Sequence, residues 1–163
     1  MIVVTRLPPG LSFWHPACLI STWFGAGLLP ITPGTWGSLA ALPFAWLIAS
    51  HYGAPGLLIG GAVAFAIGIW AAGVYSKRSG IGDPGPVVID EVAGQWITLA
   101  FAPLDPLAYL VGFLLFRLAD IIKPWPARWA DRELKGGLGA MLDDMFAAFY
   151  SGAAMFALSR WVL

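Results

Sequence analysis

PGLLIGGAVAFAIGIWAAGVYS, residues 55–76, runs for 22 positions without a Lys, Arg, Asp or Glu. At about 1.5 Å of rise per residue it makes a helix of roughly 33 Å, enough to cross a hydrocarbon core of about 30 Å. It lies inside a longer charge-free stretch, since no Lys, Arg, Asp or Glu occurs between Arg6 and Lys77. The whole chain of 163 residues is 59% hydrophobic and 11% charged, with a mean hydropathy of +0.78. Soluble domains carry about a quarter of charged residues, and a water-soluble fold of this size could hardly cover so much apolar chain. The expected fold class is all-α, a polytopic membrane helix bundle.

Outward from residues 55–76, the apolar segments predict helical spans near 36–50, 55–76, 87–102, 106–122 and 140–162. These are about five transmembrane or partly spanning helices in one domain, residues 1–163, without linker or repeat. The second and fifth cross comfortably, whereas the others are short and need shelter from neighbours or local thinning. Residues 11–32 are also apolar, but Pro16, Gly25, Gly27 and Pro30 interrupt them, which favours an interfacial or re-entrant segment over a sixth span. Pro8, Pro9, Pro16 and Pro30 around that run argue against a cleaved signal peptide, so the segment is expected to stay. Gly56, Gly60, Ala64, Gly68 and Ala72 recur every four residues and predict a close helix–helix contact. Cys18 stands alone, which excludes an intramolecular disulfide and a cysteine zinc site, and reads as a small buried hydrophobe. The net charge of zero gives no support to nucleic-acid binding.

Threading the five spans alternately, with the Thr35 end of the first on side one, sorts the charges. The loop from Lys77 to Pro86, Asp90 and Glu91, Asp120, the loop 123–139, and Asp143 with Asp144 all fall on side one, while His51 and Asp105 fall opposite. Arg6, Lys77, Arg78, Arg117, Lys123, Arg128, Arg132 and Lys135 join the acids, leaving Arg160 alone on side two. By the positive-inside rule side one is cytoplasmic. Trp125 and Trp129 are expected as interface anchors there, and Trp161 on the other side.

Asp90 and Glu91 follow Pro86 at the start of the third span. Acids there can simply complement the helix dipole, by about 0.3–1 kcal/mol. Adjacent helical residues point about 100° apart, however, so one of the two has to meet the bundle, and inward acids in a membrane helix usually mark a site. Arg117, Asp120 and Lys123 are spaced by three along one helical face, which exposed ion pairs would also explain. The apolar residues between them suggest a partly buried face, in which Asp120 binds a metal, Lys123 a phosphate oxygen, and Arg117 orients either one. Asp143 and Asp144 follow the glycine-rich run 136–139 and repeat the dipole ambiguity. Four or five convergent carboxylates suit a hard cation such as Mg²⁺, and the lack of His/Cys ligand spacing argues against zinc. Gly34, Thr35 and Ser38, within PGTWGS (33–38), enter the first span on the same side and offer free N–H groups and hydroxyls to an anion. Thr35 is equally credible as an N-cap. His15 and His51 read as interface residues.

Taken together, PGTWGSLAALP (33–43), DPGPVVIDEVAGQW (83–96), FRLADIIKPWP (116–126) and GGLGAMLDD (136–144) resemble, in this order, the bacterial phosphatidylglycerophosphatase A family. The resemblance implies a Mg²⁺-dependent, multi-pass inner-membrane phosphatase, active at the cytoplasmic face, that converts phosphatidylglycerophosphate to phosphatidylglycerol and phosphate. The family's acidic positions match Asp83, Asp90, Glu91, Asp120, Asp143 and Asp144, with Asp83 on the substrate side, and its basic position matches Lys123. The sequence has no DxDx[TV] motif, cysteine phosphatase loop or paired phosphatase histidines, so no covalent nucleophile stands out. The expected reaction is therefore attack by water activated by one or two Mg²⁺ ions on Asp90, Glu91, Asp120, Asp143 and Asp144, with Lys123 stabilising the leaving oxygen. A CDP-alcohol phosphotransferase would use similar aspartates, but its DGxxAR…GxxxDxxxD signature is missing. A small cation transporter would place ionisable groups at mid-membrane or on both faces.

Overall fold

The apolar run beginning at Pro33 doubles back at Gly53. The computed structural model describes residues 7–161, so Arg6 and position 162 of the last expected span lie outside the described residues. The elements are α1 (Pro16–Ser21), a 3-10 turn (Ala26–Leu28), α2 (Pro33–Ser79), α3 (Ile89–Leu99), α4 (Pro106–Ile122), α5 (Ala127–Glu133) and α6 (Gly136–Trp161), with no strand among the described residues. The all-α class is as expected.

The first two predicted spans are both present, but without a loop between them. Within α2, Gly53 has φ 61° and ψ −158°, a conformation essentially confined to glycine, and Pro55 opens the next turn with no N–H to leave unbonded. Both halves lie along α3. At the start of α3, Val88 packs at Gly37 and Ile89 at Gly68, while further on Trp96 donates to the Ala41 carbonyl at 3.0 Å and covers Gly60. Residues 33–52 and 54–79 are thus antiparallel. Each is long enough, at about 1.5 Å per residue, to cross about 30 Å. Among the described residues α2 is the one helix long and apolar enough by itself to cross a membrane, its mean hydropathy reaching 2.2.

α3 is shorter than the expected 87–102. Val88 gives its N–H to the Ser21 carbonyl at 2.7 Å instead of to a helix, and Pro103 ends the run by restricting the residue before it. Nine of its eleven residues are buried, so this short helix is sheltered on nearly all sides by α2, α4 and α6. The Thr98 and Ser151 hydroxyls, 2.7 Å apart, tie it to α6. α4 spans the expected residues because Asp105 caps it, accepting from the Leu107 and Ala108 N–H groups, and Pro106 fills the first helical position.

The other boundaries need correction. The loop expected over 123–139 contains α5, and α6 begins at Gly136 rather than residue 140. Gly136 makes the expected turn, with φ 72°, whereas Gly137 is a packing device, since a Cβ there would overlap the Ile69 carbonyl and crowd the Gly73 nitrogen. Residues 11–32 form no spanning helix, only α1 and the 3-10 turn, and Cys18 is buried as expected. Of the small-residue stripe, Gly60 meets Trp96, Gly68 meets Met141, and Ala64 and Ala72 are buried, but Gly56 faces Tyr52 and Ile48 at the turn instead of another helix. Leu47, Ile59, Leu114 and Phe149 point large apolar side chains outward from α2, α4 and α6.

Candidate metal centre

One end of the bundle collects the polar residues. There α2 starts beside α3, since a Cβ on Gly34 would run into Glu91 Oε1 and stand 3.0 Å from Arg117 Nη1. The other end of α2 meets α6 where Gly73 faces Gly137, and Lys135 reaches Gly82. Asp90 and Glu91 sit in the first turn of α3, so the dipole contributes to their placement. It does not explain Asp143 and Asp144. With α6 starting at Gly136, they lie more than one turn inside the helix, and its first turn holds no acid.

All of these carboxylates are drawn inward. Asp90 is 8% exposed, Asp143 5% and Asp144 2%. Asp90, Glu91 and Asp144 each offer an oxygen within 4.8 Å of the others. Asp120 is close enough to Asp144 for their charges to act on each other, and it is held by Arg117 Nη1 at 2.5 Å, which stands 3.6 Å from Glu91 Oε1. Yet Asp90 Oδ1, Glu91 Oε2 and Asp144 Oδ2 have no protein partner. Buried carboxylates with too little compensating charge are strongly unfavourable, and Arg117 reaches only Glu91 of the three, so this trio calls for a further cation. Mg²⁺ binds oxygen at about 2.1 Å, which keeps its ligand atoms within about 4.2 Å of each other. Closing 4.8 Å to that range takes only side-chain adjustment. The all-oxygen donor set suits a hard divalent cation.

Lys123 closes the side of the centre. It ends α4 in a left-handed conformation, φ 48°, and its ammonium donates to Asp131 Oδ1 at 2.7 Å and to Asp143 Oδ2 at 2.6 Å. Burial alone would lower its pKa, but these two carboxylates outweigh that and raise it, so Lys123 is a fixed cation. Two of its three protons are committed, leaving one for a further acceptor. Asp83, exposed in the loop after α2, is within electrostatic reach of Lys123 and Asp143.

The start of α2 differs in detail from expectation. Its N-cap is Thr32, not Thr35, because Pro33 takes the first helical position. Thr35 is half-buried on the turn that carries Gly34, while Ser38 lies one turn deeper, fully buried, its hydroxyl without a partner. Three contributors had not been singled out from sequence. Asp131 sits on the helix read as a loop. Gln95, one turn after Glu91, is fully buried with both amide atoms unpartnered, and its spacing from Glu91 was the available signal. Gly94 admits Phe116 and the Asp144 carbonyl to α3. The histidines stand apart, with His15 capping α1 and His51 exposed near the Gly53 turn.

The profile of the family described as Phosphatidylglycerophosphatase A matches residues 19–159. A protein of that name from Escherichia coli is 38% identical over 152 residues, covering 92% of this chain and 86% of the relative. The Haemophilus influenzae protein of the same name is 38% identical over 154 residues, 94% of each chain. A Bacteroides thetaiotaomicron protein, 39% identical over 158 residues and covering 89% of this chain and 94% of its own, carries the provisional name of a phosphatidylinositol-3-phosphatase. No solved structure matches.

Proposed function

Because the chain belongs to the phosphatidylglycerophosphatase A family, we propose that it removes the terminal phosphate of phosphatidylglycerophosphate to give phosphatidylglycerol, a step of phospholipid synthesis. The observation that carries the reading is the trio Asp90, Glu91 and Asp144, gathered within 4.8 Å with an unpartnered oxygen on each. They would hold Mg²⁺, with Asp120 and Asp143 beside them. When bound, the cation neutralises phosphate oxygens and makes water more acidic.

The chain's own groups do the rest. Arg117 fixes Asp120 and restrains Glu91, so the donors are oriented before substrate arrives. The free proton of Lys123 binds an oxygen of the phosphate or of the departing alcohol, and Asp131 and Asp143 hold it on aim. Gly34 and Thr35 border the seat from α2. Among the described residues no Cys or His enters the cluster, which favours direct attack of water on phosphorus, with the bond to the glycerol oxygen breaking.

On this reading the chain is a multi-pass protein of the bacterial inner membrane, a reading supported by the apolar outer faces of α2, α4 and α6 and the length of both halves of α2. Lys77, Arg78, Lys123, Arg128, Arg132 and Lys135 share the end of the bundle that holds the acids, with Arg160 far along α6, which supports a cytoplasmic site. Purified protein in mixed micelles should release phosphate from phosphatidylglycerophosphate, lose that activity in EDTA, and regain it with Mg²⁺. An undiminished rate in EDTA would refute the metal reading. A preference for phosphatidylinositol 3-phosphate in the same assay would refute the headgroup.

A further inference from the structure

The turn after α4, together with α5, forms a pocket of which the proposed reaction uses only Lys123. The cavity, about 430 Å³, is lined by Lys123, Trp125, Arg128, Trp129, Arg132 and Glu133 among others. Arg128 and Arg132 are spaced by four on α5 and project from one side of it. Arg128 donates to the Ile122 carbonyl at 3.1 Å, closing the end of α4. Neither arginine forms an ion pair among the described residues, and Glu133 offers one carboxylate against two guanidinium groups. Lys123 is the wall shared with the acid centre, its ammonium already committed to Asp131 and Asp143.

Two independent features indicate the occupant. Paired guanidinium groups match the oxygens of a phosphodiester in charge and geometry. Trp125 and Trp129, 78% and 48% exposed beside them, are the amphipathic rings that settle at the headgroup level of a bilayer. We propose that this pocket seats the phosphodiester headgroup of an anionic phospholipid of the surrounding bilayer, at a site separate from the acid centre. The bound lipid holds α5 in the interface, and with it Asp131, which orients Lys123. The inference rests on the membrane-lipid reading above.

The test is native mass spectrometry of the full chain released from micelles containing either dioleoylphosphatidylserine, an anionic lipid that is not the product of the proposed reaction, or dioleoylphosphatidylcholine. Wild type should retain the anionic lipid and not the zwitterionic one. Each basic group near an anionic lipid contributes about fivefold, so Arg128→Gln/Arg132→Gln should lower retention about 25-fold. Arg132→Gln alone, which removes no hydrogen bond or ion pair among the described residues, should lower it about fivefold and decides the matter should the double variant lose its helical circular dichroism. Equal retention by Arg132→Gln and wild type, or equal retention of the two lipids by wild type, overturns the proposal. Phosphate release measured on the same samples separates the two readings. An inactive wild type that still holds the anionic lipid refutes the phosphatase, and an active one indifferent to Arg132→Gln refutes only the lipid site.

Discussion

Replacing Gly34 with alanine should disable the enzyme while leaving it folded. The added methyl would occupy space taken by Glu91 Oε1, although carbon and oxygen normally approach only to about 3.3 Å, and would stand 3.0 Å from Arg117 Nη1. Glu91 Oε1 is the end of a flexible side chain, so it can swing aside by about an ångström at modest energetic cost. Overpacking of this kind costs typically 1–3 kcal/mol, and alanine returns about 0.5–1 kcal/mol in a helix, so the melting temperature should drop by only a few degrees. The swing removes Glu91 from the trio, however, and a misplacement of about 1 Å in such a centre can cost on the order of 100-fold, or about 2.7 kcal/mol of transition-state stabilisation. The assay is kcat for phosphate release at saturating Mg²⁺, alongside thermal melting. Gly85→Ala is the control, because nothing lies within 4 Å of a Cβ there, and it should stay within twofold of wild type. A Gly34→Ala enzyme within threefold of wild-type kcat would refute the placement of Glu91 in the working centre.

Mg²⁺ should raise the melting temperature of wild type saturably, by the equivalent of about 2.7 kcal/mol at 100 times its dissociation constant. Asp144→Asn should abolish that shift, yet melt above wild type in EDTA because one buried unpaired charge is gone; an unchanged Mg²⁺ response would count against Asp144 as a ligand. Lys123→Met should destabilise the fold by about 2 kcal/mol by stranding Asp143, and adding Asp143→Asn should restore part of that stability without activity, as read in a double-mutant melting cycle. Gly53→Ala should cost about 1–3 kcal/mol, since its backbone conformation excludes a side chain, whereas a neutral result would mean that the turn between the halves of α2 can be built another way.

What could be read in advance depended on how local the cause was. α4 came out at residues 106–122 because its cap, its first proline and its apolar period are all adjacent in sequence. The gathering of the acids at one end followed from counting spans, which needs only their number and order. Gly137 misled because glycine marks both turns and close contacts, and its partners, Ile69 and Gly73, are more than sixty residues away. α5 was missed because seven residues of mixed charge show no apolar period, and Asp131 went with it. The nearness of Gly34 to Glu91 is likewise a product of packing between α2 and α3, and no spacing within either segment announces it.

The turn at Gly53 bears on how such a chain enters a bilayer at all. On the membrane reading, the two halves of α2 face each other with no polar loop between them, so the far leaflet receives only His51, Tyr52 and the turn itself, and no ionised side chain has to be carried through the hydrocarbon there. Two antiparallel apolar helices joined this tightly have little reason to insert one at a time. On that reading they enter as a single hairpin wedge whose two free ends, Gly34 at one and the Lys77–Arg78 pair at the other, stay on the side from which it came.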